Sequence, residues 1–380
     1  MNEQKRDAIR LYLPVDPLIH PEADAITAAA LEWVERIRFS DDRRVIEWAK
    51  ATESGRYFAA VCPHGLADRL ELAAEWSYLF FSVDDVIFDR DDSPLTRRNR
   101  ADATVALQRA LECAAGRTPP SDDPFEKAQH DIGRRLYTLF GHTRAARLIH
   151  NHAYLTLGSV WLIGAKPRLA DTPLSVNDYL THRMYFSGSH SAREWLTLAL
   201  PELVPEDELH MPVVRAISEA SQILACCDND LFSFDKEKHE KDREHVNLVS
   251  ILSRERKCSL AEAFDQAIMM RNRTMYLIMV LRQQILDNPA SSPALRAYVD
   301  MLLHMVWGNA DWSTWTARYT SPGNCQADMP EYGNTTRHEF LSTPPVTTLE
   351  PLPYPSIAWW WDYAEETVPD AFSKCIHAES

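Results

Sequence analysis

The chain has 380 residues, 45% of them hydrophobic, enough to bury a large core in one helical domain or two smaller ones. A formal net charge of −15 disfavours a nucleic-acid or anionic-membrane surface, because phosphates attract proteins through Lys and Arg, so any anionic ligand needs a local cationic site. Seven scattered cysteines with no CxxC pair suggest neither a disulfide framework nor a zinc site, and fit a reducing cytosol.

The first residues, MNEQKRDAIRLYLPVD, lack the apolar core of a secretory signal, so no export is expected and the expected compartment is the cytoplasm. Apolar stretches at 155–165 and 275–281 fall short of the roughly 20 residues of a membrane span, so no stable membrane insertion is expected. Glycine is scarce, at 11 residues, and apolar side chains recur at helical spacing over 25–37, 66–88, 213–236 and 259–286. Proline-containing stretches at 14–21, 119–124, 167–173, 201–212 and 344–355 divide these segments. The pattern predicts an all-α helical bundle.

In the second helical segment Trp76, Tyr78, Leu79, Phe80, Phe81 and Val83 lead directly into DDVIFD, so carboxylates meet an oily wall. Asp85 and Asp89 are four apart and Asp84 adjoins them; a helix crowds these groups near one turn, and divalent cations offset their repulsion most simply. Alone, the run reads more simply as a helix end entering a solvated acidic loop. Next in order, Arg183 precedes Ser187, Gly188 and Ser189, a helix-weakening triplet whose freed carbonyls could point into a cavity.

The 213–236 segment ends in NDLFSFDKE. At about 100° per residue, Asn229, Ser233 and Glu237 fall within an arc of roughly 80°, presenting an amide oxygen, a hydroxyl and a carboxylate as a ladder. All three are hard oxygen donors suited to Mg2+. Lys236 projects close to the same face and could hold a phosphate oxygen; the bland alternative is a polar helix end stitched by local ion pairs. Arg318 and Tyr319 close the helical GNADWSTWTARY, offering a guanidinium and a phenol. After Tyr319 the helical pattern breaks, and the tail predicts irregular chain followed by a short helix at Trp359, Trp360 and Trp361 that packs back on the body.

Together these fragments resemble one family, the bacterial and fungal class I terpene synthases. Asp84, Asp85 and Asp89 stand where that family has its aspartate-rich motif, and NDLFSFDKE resembles its NSE metal motif, with Asn229, Ser233 and Glu237 as ligands and Lys236 on the motif's lysine. Arg183 lies at the spacing of the family's diphosphate-sensing arginine, Ser187 and Gly188 resemble its linker and effector break, and Arg318 with Tyr319 resembles its terminal RY pair. The acidic run departs from the commoner DDxxD spacing, which leaves open which aspartate contacts metal; Asp84 is the first choice.

The resemblance implies a single-domain α-helical bundle around a central active-site cavity over residues 1–320, with a tail over 321–380. It also implies three Mg2+ ions and a prenyl diphosphate substrate, with farnesyl favoured over geranylgeranyl. Arg183, Lys236 and Arg318 would neutralise the departing diphosphate, and the cation would close to a sesquiterpene inside a pocket lined by Phe80, Phe81 and Trp312. These rings read equally well as ordinary core. A chain-elongating prenyltransferase would carry a second DDxxD where this chain has Asn, Ser and Glu, and a catalytically silent helical binding protein would leave both motifs as solvated helix ends. A homodimer is left open.

Overall fold

The chain begins with a short strand, β1 (Ile9–Tyr12), and then runs through α1 (Ala23–Ile37), α2 (Arg43–Ala51), α3 (Ser54–Val61), α4 (Ala67–Val83), α5 (Arg97–Glu112), α6 (Pro124–Ala165), α7 (Val176–Phe186) and α8 (Ser189–Ala199). It continues through α9 (Glu206–Leu209), α10 (Pro212–Glu237), α11 (Leu248–Arg256), α12 (Leu260–Asp287), α13 (Pro293–Trp315), α14 (Ala317–Thr320), β2 (His338–Leu341) and α15 (Pro355–Ala358). This computed structural model describes residues 8–89, 97–237, 246–320 and 338–364, and the side chains of Phe88, Asp89, Arg97 and Arg98 lie outside the described set.

Helix boundaries follow local chemistry. Asp123 accepts from Glu126 N ahead of Pro124, and Ser292 accepts from Leu295 N ahead of Pro293, so each proline takes a first-turn position whose N–H would find no helical partner. Ser175 with Asp178 and Ser259 with Glu262 form capping boxes that start α7 and α12. The four helical segments expected from periodicity correspond to α1, α4, α10 and α12 within a few residues.

Helix α10 is the centre of the bundle. It packs against α12 and α13 on one side and α7 and α8 on the other, so Ala216, Ile217, Ala220, Leu224 and Leu231 are all buried. Helix α4 packs against α1, α3, α6 and α8. A fully buried ion pair joins α10 to α12: Arg271 reaches Asp228 at 2.8 and 3.1 Å, with neither side chain exposed. Excising one partner of such a pair would leave an uncompensated buried charge, at about 3–5 kcal/mol.

The tail carries one element that the sequence reading did not anticipate, a second strand. Strand β2 pairs in parallel with β1, Ile9 opposite His338 and Tyr12 opposite Leu341. The Asn272 side chain anchors the ribbon on α12 through Tyr12 N and Arg10 O. Beyond β2, α15 packs on α7, and the turn at Trp359–Tyr363 packs on α10. Trp360 is 1% exposed and donates to Glu219 at 3.2 Å. Trp360→Ala should therefore cost about 3–5 kcal/mol of unfolding free energy, read from urea melts; an unchanged midpoint would mean that the tail lies outside the cooperative unit.

Candidate active site

The C-terminal ends of α4 and α10 open onto one cavity. After Val83 the backbone of α4 widens into a π-helical turn over Asp84–Asp89. Its i→i+5 bonding changes which side chains share a face, so the acidic residues do not stack as an ordinary helix would place them. Asp84 lines the cavity. Asp85 accepts from Trp48 Nε1 at 2.6 Å and, through both carboxylate oxygens, from one terminal nitrogen of the Arg318 guanidinium. Asp89 falls where the side chain lies outside the described residues.

Across the cavity, α10 presents Asn229, Lys236 and Glu237 to the lumen. Ser233 is buried behind them and donates to Glu237 at 3.0 Å, which joins two members of the expected ladder, while Asn229 bonds to Arg183 and Tyr319. Asn247 braces it, donating to Glu237 Oε2 and to Asp230 O, both at 2.9 Å. Besides Lys236, two cations come from other helices. Arg183, at the end of α7, donates to Asn229 Oδ1 at 2.7 Å and Asp230 Oδ1 at 2.8 Å. Burial acts to lower its pKa, but Asp230 and Tyr179 outweigh it and raise the value well above the ordinary arginine range, so this group is a permanent cation.

Arg318 and Tyr319 do not close α13 as the sequence suggested. That helix ends at Trp315, and the pair sits on α14 after a break at Thr316, which turns both side chains into the cavity. Arg318 donates to Asp84 at 2.6 Å as well as to Asp85, and Asn229 donates to the Tyr319 hydroxyl. In this arrangement each guanidinium is paired with oxygen acceptors of the opposite wall or the adjoining helix.

Below this polar rim the wall is aromatic. Trp76 stacks on Phe80 at 5.3 Å, Phe80 meets Phe81 at 5.7 Å, Phe81 stacks on Trp312 at 5.4 Å, and Trp312 meets Tyr319 edge-on at 5.5 Å. The Trp312 indole N–H is tied to Thr52 O at 2.8 Å, which holds its ring plane. The break between α7 and α8 also reaches the cavity, through Ser187 and Gly188. It is pressed close to α6: a Cβ on Gly158 would fall 2.4 Å from the Tyr185 and Phe186 backbone, so no larger residue fits there.

The family model described as terpene synthase family 2, C-terminal metal binding, matches residues 75–276, a span that contains both acidic motifs and Arg183. The chain belongs to the terpene synthases. It is 30% identical to phomopsene synthase of Allokutzneria albata over 92% of this chain and 95% of that one. It is 27% identical to a Streptomyces protein named diterpene cyclase DtcycA, over 94% and 96%. It is 28% identical to the farnesyl-diphosphate-cyclizing (+)-T-muurolol synthase of Streptomyces clavuligerus, over 94% and 82%. A crystal structure of an ancestrally reconstructed protein, SVS_A2, superposes with a TM-score of 0.79 at 28% identity, covering 94% of this chain and 99% of that one.

This terpene synthase is thus a class I cyclase with the all-α fold of that class. Its family is metal-binding, and the donor set suits a hard divalent cation: amide, hydroxyl and carboxylate oxygens on one face of α10, with an aspartate facing them. Among the described residues no three His, Cys, Asp or Glu side chains cluster, so the mixed donors of α10 are central to any metal site. No described helix of the synthase is long and apolar enough to cross a membrane.

Several site residues of the synthase were not singled out from sequence. Trp76 sits one helical turn before Phe80 on the same face, and that spacing could have marked it. Tyr57, Asn309 and Trp48 carry no local signal at all. Asp230, next to Asn229 in the chain, holds Arg183 from the protein side and accepts from Leu248 N at 2.6 Å.

Proposed function

We propose that this cyclase ionises an acyclic prenyl diphosphate with the help of Mg2+, and that Asp84, Asn229, Ser233 and Glu237 would hold the metal. The observation that carries the reading is a single cavity in which Asp84, Asn229 and Glu237 meet Arg183, Lys236 and Arg318 above an aromatic wall. Three ions remain the expectation from family resemblance. The chemistry a bound divalent cation supplies here is neutralisation of charge on the leaving diphosphate.

The protein's own groups do the rest. Arg183, Lys236 and Arg318 bind and orient diphosphate oxygens, and Tyr319 donates a hydrogen bond to one of them. Burial raises the Tyr319 pKa, so the phenol keeps the proton that it donates. When the C–O bond breaks, the allylic cation faces Phe81, Trp312, Phe80 and Trp76, whose electron-rich rings stabilise positive charge and offer no lone pair to trap it.

For the substrate, a C20 geranylgeranyl chain is placed ahead of the C15 chain expected from sequence. Small residues, Ser77, Ser159, Ala192, Ala225 and Cys226, stand among the aromatic ones that line the cavity, and a relative named as a diterpene cyclase matches along nearly its whole length. A cytosolic setting fits the five unpaired cysteines among the described residues.

Purified protein should release diphosphate and form a cyclic product from geranylgeranyl diphosphate with Mg2+, identified by mass spectrometry, and lose both on chelation by EDTA. A higher kcat/KM with farnesyl diphosphate would reverse the chain-length assignment, and no diphosphate release from either would end the reading. Phe81 lies under Arg318, with the guanidinium 4.9 Å from its ring. Phe81→Ala removes one ring of about 0.5–2 kcal/mol, roughly a two- to thirty-fold loss in rate, and should redistribute products; an unchanged product profile would remove Phe81 from the cation's path.

A further inference from the structure

Helix α2 packs on α4, and none of its residues lines the cavity, yet this segment gives two hydrogen bonds to the walls of the site. Trp48, 5% exposed, donates from Nε1 to Asp85 Oδ2 at 2.6 Å. Four residues on, at the C-terminal cap of α2, the Thr52 carbonyl accepts from Trp312 Nε1 at 2.8 Å. One link goes to the acidic turn and the other to the aromatic wall.

The acidic turn gives its first two aspartates different surroundings. Asp84 lines the cavity and Asp85 does not. Both Asp85 oxygens accept from Arg318 Nη1, at 2.7 and 2.6 Å, while Asp84 Oδ2 accepts from Nη2 at 2.6 Å. The guanidinium thus rests on two carboxylates, one for each terminal nitrogen. A metal in the cavity would draw on Asp84, and Asp85 would then be the carboxylate that still holds Arg318. A carboxylate carrying one guanidinium nitrogen can still turn about its own side-chain bonds. The Trp48 indole supplies a second, fixed contact: it is a donor only, its ring is buried, and a hydrogen bond to a charged acceptor is stronger than a neutral one.

We propose that Trp48 is a positioning residue for the ionisation step: its N–H fixes Asp85, and Asp85 holds Arg318 where the guanidinium meets the diphosphate. The proposal rests on the terpene-cyclase reading above and gives Asp85 to the arginine rather than to the metal. Trp48 acts at one remove, since it touches neither the cavity nor Arg318 through any hydrogen bond described for its indole.

The test is steady-state diphosphate release and product analysis of Trp48→Phe, which keeps an aromatic ring and removes the donor. Its kcat should fall about ten-fold, inside the roughly hundred-fold that a 1 Å misplacement of a group can cost. Product ratios should match wild type, because the rings that meet the cation stay in place. In an Asp85→Ala background, which lacks the acceptor, adding Trp48→Phe should cost less than about two-fold more, as expected of two residues that act through one contact. Losses that multiply would make Trp48 a packing residue and overturn the proposal, as would an unchanged kcat. Altered product ratios would overturn it too, since they would mean that α2 had shifted as a body and carried Trp312 with it through Thr52. If the phenylalanine variant folds poorly, replacing the Trp48 indole by benzothiophene, a bicycle of the same shape without the N–H, makes the same comparison. Absence of diphosphate release from wild type would instead overturn the cyclase reading, so the two failures are distinct.

Discussion

Arg183→Ala should reduce turnover by about 10²–10³-fold, the usual loss when one preorganised donor to a developing negative charge is removed, on a protein that remains folded. The guanidinium is 8% exposed, sits at the cavity rim and is kept charged by Asp230. Its removal leaves Asp230 Oδ2 bonded to Tyr179 OH and Leu248 N but takes away the countercharge and the partner of Oδ1, so the variant should fold with stability lower by about 3–5 kcal/mol. Arg183→Lys should restore little, because an ammonium cannot offer diphosphate oxygens the planar two-nitrogen fork of a guanidinium, one nitrogen of which is held here by Asn229 and Asp230. Steady-state diphosphate release beside far-ultraviolet circular dichroism reads both halves. Near wild-type turnover would remove Arg183 from diphosphate recognition.

Asn229→Ala should match that loss, for a different reason. Its oxygen accepts from Arg183 and its amide group donates to Tyr319, so one side chain ties the α10 donor ladder to two groups of the phosphate site. The alanine variant should lose about 10²-fold or more in kcat/KM, in the range seen when a preorganised group is removed. Part of that loss should return at raised Mg2+. Asn229→Asp, which keeps an oxygen donor, should retain far more activity. A thermal-shift titration with Mg2+ plus inorganic diphosphate provides a readout independent of turnover. If the alanine variant shifts as wild type does, the ladder does not hold metal.

Both predictions concern a site whose charges are already paired. Arg318 spans Asp84 and Asp85, and Arg183 spans Asn229 and Asp230. Partly buried charges without partners would cost several kcal/mol each, and these cations rest on the oxygens that a metal and a diphosphate would claim. Substrate binding on this reading is an exchange of partners.

The sequence alone determined the helical class, the main helices and the positions of both acidic motifs. Each of these is written in a local period of three to four residues, or in a proline and a cap beside it. The Asn229–Ser233–Glu237 ladder was legible for the same reason, since all three lie on one helix at fixed rotation. Tertiary structure alone decided the rest. Arg318 meets Asp84 across 234 positions of chain, and Trp312 is held by Thr52 across 260. The parallel pairing of β1 with β2 and the seat of Phe80 against Gly188 likewise depend on segments far apart in sequence. Periodicity reports which face of a helix is oily but carries no information about which distant segment covers it, and only the packing of the folded chain supplies that partner.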